Sequence, residues 1–206
     1  MLLVRHGATE WNVQLRAQGQ ADIGLNDLGR RQALETAEKL AGARINAVYS
    51  SDLSRAFDTA AEIAARHGLA VQAEVAFREI DQGEWTGLSD DEIKRRWPDR
   101  WGPARHYSAR PGGESPTEVR RRALAGLERV VGAHPEGAVV VVSHGATIRT
   151  LVAEALGLDE RTSATLRGVG NGGVVCFDAE RRDGRLVLDG LERMDESRPA
   201  RDDPNQ

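Results

Sequence analysis

Short apolar runs alternating with helical patterns predict an α/β fold, a single domain built on a parallel sheet. Three observations carry this prediction. A strand-length run at Met1–Val4 is followed by a loop, a helical pattern, a second short apolar run and a second helical pattern, the order of a βαβ unit. The segment GAVVVVSHG (137–145) is apolar at every central position, as expected of a strand covered on both faces. These two strands stop in similar chemistry, Arg5-His6-Gly7 in one and Ser143-His144-Gly145 in the other.

In an open α/β sheet, ligands bind outside the carboxyl ends of the strands, which places Arg5 and His6 on a rim that a substrate reaches. Gly7 is expected to let the backbone turn tightly and approach a bound anion. RAQGQADIGLN (16–26) is polar and contains glycine, a loop lying over the end of the first strand. Asn26 is a good N-cap, and Leu28, Ala33, Leu34, Ala37 and Leu40 recur at helical spacing up to Gly42, which is expected to close the helix. INAVYSS (45–51) is the second strand, and the helix after it is expected to open at Asp52 and stop at Gly68.

LAVQAEVA (69–76) is expected to add a short strand. Residues 81–115 are Trp-rich, charged and broken by Pro98, Pro103 and Pro111, which predicts a partly helical lid insertion. Helices are expected from Pro116 to Val131 and over ATIRTLVAEALGL (146–158), and residues 172–194 read as a hairpin turning at Asp183-Gly184. The domain covers 1–194, and the charged tail 195–206 is expected to be disordered.

With 206 residues, 40% of them apolar and 29% charged, the chain describes one soluble globular domain. All its basic residues except Lys39 and Lys94 are arginine, but they are scattered and the net charge is −4, so no nucleic-acid partner is expected. No apolar stretch has the length that crosses a bilayer, and Arg5 interrupts the N-terminal run; no signal peptide or membrane partner is expected, and a cytoplasmic location is. The lone cysteine, Cys176, reads as a small buried residue in VVCF.

If the first strand and the GAVVVVSHG strand are neighbours, His6 and His144 meet across one crevice beside Arg5, and the second helix brings Arg55. Such a cationic pocket in a chain of negative net charge suits a phosphate group. Two histidines with Glu79 or Asp52 are the makings of a metal site instead, but no HExxH or CxxC spacing is present and the arginines would repel a divalent cation.

Taken in order, LLVRHGATEWN, SSDLSRAFDTA, REIDQGEWTG and VVVVSHG resemble the motifs of the histidine phosphatase superfamily, also called phosphoglycerate mutase-like, from Leu2 to about Phe177. The resemblance implies a three-layer α/β/α domain with a mixed, mostly parallel sheet, and a phosphohistidine mechanism that needs no metal or cofactor. Carried over residue by residue, it makes His6 the nucleophile and Glu79 the proton donor, with Arg5, Arg55 and His144 binding the transferring phosphoryl group. Asn12 then lines the pocket, and Gln18, Gly19 and Gly145 are substrate contacts.

The residue types suit this chemistry. A neutral imidazole is a good nucleophile for phosphorus, and fixed cationic donors stabilise the charge that spreads over the equatorial oxygens. One carboxyl group can protonate the leaving alkoxide and then take a proton from water. Glu74, Asp81 and Glu84 lie close to Glu79 in sequence, and Glu84 is the rival for that role. His67 and His134 read as ordinary, while His106 is a candidate substrate contact in the lid with Trp97, Trp101 and Arg105.

Three functions fit: a phosphatase of a small phosphorylated metabolite (a sugar phosphate or phosphoglycerate type), a phosphoglycerate mutase, or a phosphate-binding module without turnover. REIDQGEWTG and the short lid resemble the phosphatase branch, since mutases carry an RHYG-type sequence beside the acid and a longer lid. PGGES and VGNGG further resemble the sugar-phosphoglycerate phosphatases within it. The family also implies a homodimer, for which the apolar C-terminal hairpin offers an edge.

Overall fold

The computed structural model describes residues 1–101, 108–163 and 166–193. Six strands, β1 (Leu2–Arg5), β2 (Ile45–Ser50), β3 (Val71–Ala73), β4 (Ala138–Ser143), β5 (Val174–Arg182) and β6 (Arg185–Arg193), form one sheet in the order β3-β2-β4-β1-β5-β6. The first four are parallel, and β5 and β6 are antiparallel, so the sheet is mixed as the family implied. The hairpin turns where expected: Asp183 (φ 52°) and Gly184 (φ 76°) are both left-handed, the geometry a two-residue turn demands of strands with right-handed twist.

Alternation along the strands sorts the core into two layers. Leu2, Val4, Val140 and Val142 pack against Ala37 and Leu40 of α2 (Asp27–Leu40) and Ala56, Ala60 and Ile63 of α3 (Ser54–His67). On the other face, Leu3, Val139 and Val141 meet Leu127 and Val130 of α5 (Pro116–Ala133) and Ile148 and Leu151 of α6 (Gly145–Ala155). Covering both faces requires β4 to be apolar from Ala138 to Val142, and burial of each valine contributes about 1.5–3 kcal/mol.

Several boundaries differ from expectation for identifiable reasons. After Thr9 the chain forms a one-turn helix, α1 (Glu10–Val13), held by a capping box between Thr9 and Asn12. Asn26 caps α2 as expected, but the helix ends on a right-handed Ala41, and Gly42 plays no part in closing it. α3 opens at Ser54, whose N–H donates to Asp22 of the 16–26 loop at 2.8 Å, because Asp52 is engaged by the Arg78 guanidinium at 2.7 and 2.5 Å. Its stop at Gly68 (φ 64°) is as read from the sequence. The 69–76 strand shortens to β3, since Glu74 turns the chain into a single 3₁₀ turn by accepting from Ala76 N–H at 3.0 Å.

The lid is partly helical, with 3₁₀ turns at Gly83–Trp85 and Pro98–Arg100 around α4 (Asp90–Arg96). Trp97 and Trp101 lie 6.3 and 6.0 Å from the Trp85 ring and, with Ala17, Leu88 and Ile93, build a small core of their own. They fasten the lid to the 16–20 loop. Arg105, His106 and the 195–206 tail lie outside the described residues. A short α7 (Glu160–Ser163) follows α6, and no helix among the described residues is long and apolar enough to cross a membrane.

Candidate active site

β1 and β4 end side by side, Arg5 opposite Ser143, so the histidine that follows each leaves the sheet at the same edge. His6 N–H donates to Ser143 O at 3.1 Å, and the His6 and His144 rings lie 5.0 Å apart, tilted by 59°. Gly7 has a different reason from the one expected. A Cβ there would stand 2.3 Å from the carbonyl oxygen of Gly29, so the glycine lets the first turn of α2 pack directly on the strand end.

Three groups from the VGNGG loop secure that end. Gly172 N–H donates to Arg5 O at 3.0 Å, Asn171 Nδ2 to His6 O at 3.0 Å, and the Arg5 guanidinium donates back to Val169 O at 2.9 Å. Asn171 was legible only as part of a family motif, because its effect is exerted on a backbone carbonyl far away in sequence.

The tautomer of His6 follows from its neighbour. Nδ1 lies 2.6 Å from Gly7 O, which can only accept, so Nδ1 carries the proton and Nε2 keeps its lone pair. Burial, reinforced by the charges of Arg55 and Arg5, holds His6 well below the ordinary imidazole range and therefore neutral at pH 7. His144 is held down in the same way, first by burial and then by Arg55, His6, Arg122 and Arg5.

Arg55, in the first turn of α3, is 1% exposed and donates to Ala21 O at 2.8 Å and Gly19 O at 2.7 Å. Burial brings its pKa down to about 10, against the pull of Glu79 and Asp22, and leaves it cationic at neutral pH. Gly19 (φ 53°) thus works through its carbonyl, and a Cβ on it would stand 2.8 Å from Gln82 N. Gln18 is buried and accepts from Thr9 Oγ1 at 2.9 Å. Asn12 Oδ1 accepts from Thr9 N–H at 3.1 Å, which orients its amide and turns Nδ2 away.

Glu79 is 1% exposed and rests on the start of α6, whose first residue is Gly145. Its Oε1 accepts from Ile80 N–H at 2.9 Å and Thr147 N–H at 3.3 Å, and its Oε2 accepts from Ala146 N–H at 3.2 Å. Burial nonetheless raises its pKa above the usual value, against these hydrogen bonds and the charges of Arg55 and Arg5. The neighbouring acids are elsewhere: Glu84 is exposed, Glu74 pairs with Arg129 at 3.0 Å, and Asp81 accepts from Gly83 N–H at 2.9 Å.

Sequence reasoning missed Arg122 of α5. It donates to the carbonyls of Ala76, Arg78 and Glu79 at 2.8, 2.7 and 2.9 Å and grips both oxygens of Glu114 at 2.8 and 2.9 Å. Its place three residues after the buried Val119 was the available signal, since that spacing puts an arginine on the inward face.

Arg5, His6, Asn12, Gln18, Gly19, Arg55, Glu79, His144 and Gly145 are thus gathered at one end of the sheet. Among the described residues, Asn12 Nδ2, Arg55 Nε and both ring nitrogens of His144 are buried without a hydrogen-bond partner. Asn12 Nδ2, Arg55 Nε and the one N–H of a neutral His144 are unsatisfied donors, and beside two guanidiniums they suit a tetrahedral oxyanion. No three metal-ligating side chains cluster among the described residues.

The family model of the histidine phosphatase superfamily (branch 1) matches residues 1–190. The chain is 37% identical over 187 residues to glucosyl-3-phosphoglycerate phosphatase of Mycolicibacterium vanbaalenii, covering 83% of this chain and 80% of that protein. It is 38% identical over 162 residues to phosphoserine phosphatase 1 of Hydrogenobacter thermophilus, covering 77% of each. The solved structure of a mycobacterial glucosyl-3-phosphoglycerate phosphatase complexed with VO3 superposes with a TM-score of 0.84 at 33% identity, over 94% of this chain and 96% of that one. With the fold, the motif order and these relatives in agreement, the chain belongs to the histidine phosphatase superfamily, branch 1.

Proposed function

We propose that this protein hydrolyses phosphomonoesters of small metabolites through a phosphohistidine formed on His6, without a metal. The observation that carries this is the state of His6: a buried, neutral ring whose Nδ1–H is committed to Gly7 O, leaving Nε2 as the nucleophile beside Arg5 and Arg55. Nε2 attacks phosphorus as the ester P–O bond breaks, and protonated Glu79 delivers its proton to the leaving alkoxide. The charge developing on the ring is met by the Gly7 carbonyl. Arg5, Arg55, Asn12 Nδ2 and an N–H of His144 receive the equatorial oxygens, where fixed donors act most strongly on the transition state. Water then attacks phosphorus, Glu79 takes its proton, and the P–N bond breaks to free phosphate and His6.

The relatives named for glucosyl-3-phosphoglycerate and phosphoserine support an ester of the sugar-phosphoglycerate or amino-acid type. A cytoplasmic homodimer goes with this proposal. The test is phosphate release over a panel of sugar phosphates, phosphoglycerates and nucleotides, with mutase activity followed alongside. Release should persist in excess EDTA and be inhibited by vanadate, which adopts a five-coordinate geometry like the transition state. Activity that appears only on adding a divalent metal would refute the proposal.

A further inference from the structure

The His6 ring is oriented by one carbonyl, and that carbonyl is oriented by a side chain of α2. Gly7 O, 2.6 Å from His6 Nδ1, belongs to the Gly7–Ala8 peptide, and the N–H of the same peptide donates to Gln32 Oε1 at 2.8 Å. An amide N–H can only donate, so Gln32 presents its oxygen there. The two bonds run as a chain from Gln32 through one amide to the imidazole. Gln32 lies on the face of α2 that also carries Gly29 and Thr36, and this face is the platform under the strand end. Gly29 presses on Gly7, and Ala8 O accepts from the N–H of Asn26, the helix cap, at 3.1 Å. Thr36 Oγ1 sits 2.8 Å from both Gln32 O and Gly172 O. A Cβ on Gly172 would stand 3.2 Å from Gln32 Cβ, so the VGNGG loop lies against the stem of this half-buried side chain.

We infer that Gln32 is a positioning residue for the nucleophile: by taking the Ala8 N–H it holds the Gly7 carbonyl on His6 Nδ1–H and so fixes the tautomer that attacks phosphorus. This deepens the phosphatase proposal and rests on it. The other orientation of the same amide would turn Ala8 N–H toward Nδ1, and the ring would then carry its proton on Nε2, where no lone pair remains for phosphorus. The amide on the other side of Gly7 is held separately, its N–H donating to Thr59 Oγ1 of α3 at 3.1 Å, so Gln32 governs the one amide that faces the ring. An acceptor on an amide N–H also strengthens its carbonyl as an acceptor, by about 10–30%. As Nε2 takes phosphorus the ring gains positive charge, and the bond from Nδ1–H to Gly7 O becomes charge-assisted. Gln32 therefore contributes more to the transition state than to the resting enzyme.

The test reads the tautomer in the resting protein and the rate beside it. In protein labelled with nitrogen-15 histidine at pH 7, long-range proton–nitrogen correlations distinguish a proton on Nδ1 from one on Nε2, and the His6 signals are those missing from His6→Ala. The unaltered protein should carry the proton on Nδ1. Gln32→Met, which keeps the length of the side chain and removes the acceptor, should show protonation on Nε2 or exchange between the two nitrogens. It should also lower kcat for p-nitrophenyl phosphate about tenfold, with KM changed less than about twofold. Gln32→Glu keeps an acceptor for Ala8 N–H, so it should retain the Nδ1 proton and recover most of the kcat. The Nδ1 proton of Gln32→Glu should resonate further downfield than that of the unaltered protein, because a carboxylate is the stronger acceptor. A merely structural role for Gln32 lowers Tm and leaves the tautomer alone. Protonation on Nε2 in the unaltered protein, an unchanged tautomer in Gln32→Met, or an unmoved Nδ1 proton in Gln32→Glu would each overturn the inference, and the first and last of these stand even where Gln32→Met does not fold. If the unaltered protein releases no phosphate from any ester, the phosphatase proposal fails, and the spectra, recorded without substrate, decide the role of Gln32 separately.

Discussion

Replacing Arg122 by methionine keeps the length of the side chain and removes every polar contact it makes. Three carbonyls, those of Ala76, Arg78 and Glu79, lose a donor, and Glu114 loses its partner. A hydrogen bond to a charged group contributes about 1.5–3 kcal/mol when well buried. This guanidinium and its carboxylate are 21% and 22% exposed, so water recovers part of the loss and the net cost should be about 2–4 kcal/mol. In a domain of this size, that lowers Tm by roughly 5–15 °C. Catalysis should suffer selectively, because the freed segment carries Glu79. The kcat for alkyl phosphates should fall about 100-fold, while p-nitrophenyl phosphate, whose leaving group needs little protonation, should lose less than about fivefold. Arg122→Lys should recover some stability but little of the selectivity, since one ammonium cannot span three carbonyls and a carboxylate. Steady-state kinetics on both esters, below the melting range of each variant, measure this. Equal losses on the two would refute the positioning of Glu79 by Arg122.

Arg55→Lys should restore little of the kcat/KM lost in Arg55→Ala, because an ammonium cannot hold Gly19 O and Ala21 O and still present a planar donor; near-native kinetics would contradict this. Stability should fall as pH drops from 7 to 5.5, since the lowered pKa values of His6 and His144 give a contribution that is present above the unfolded value of 6.5 and lost below it. The limit is about 1.4 kcal/mol per unit for each ring, offset in part by Glu79, whose raised pKa acts with the opposite sign. Denaturant midpoints should show this, with a shallower slope in His144→Ala; a flat profile would contradict it. Gly7→Ala should destabilise by about 1–3 kcal/mol or more, because its Cβ would meet a backbone oxygen at 2.3 Å, whereas Gly42→Ala, where the Cβ meets nothing, should be neutral or stabilising in the same melts.

The parts of the fold legible from sequence are those written in periodicity: β4 by its unbroken valines, the hairpin by Asp183-Gly184, and α2 by Asn26 and the spacing of Ala33, Ala37 and Leu40, whereas Leu28 and Leu34 of the same pattern are exposed. His6 and His144 were legible as a pair because each follows such a strand directly. Contacts between distant segments were not. Nothing around Gly7 announces that Gly29 presses on it, and nothing around Asp52 shows that Arg78 takes it from its expected capping role. The one-turn α1 is too short to carry a period, and its capping box is the only local signal for it. The packing of the lid tryptophans on one another was not legible, because an aromatic in an insertion serves a ligand or a small core equally well.

The central claim is that phosphate passes through His6, and a rapid quench during turnover tests it most directly. Phosphate should be trapped on the protein, stable in alkali and lost in mild acid as a nitrogen-bound phosphoryl group is, and should map to the N-terminal peptide. His6→Ala should abolish both the label and turnover, and His144→Ala should weaken turnover without moving the label. Label on His144, or full activity in His6→Ala, would contradict the account.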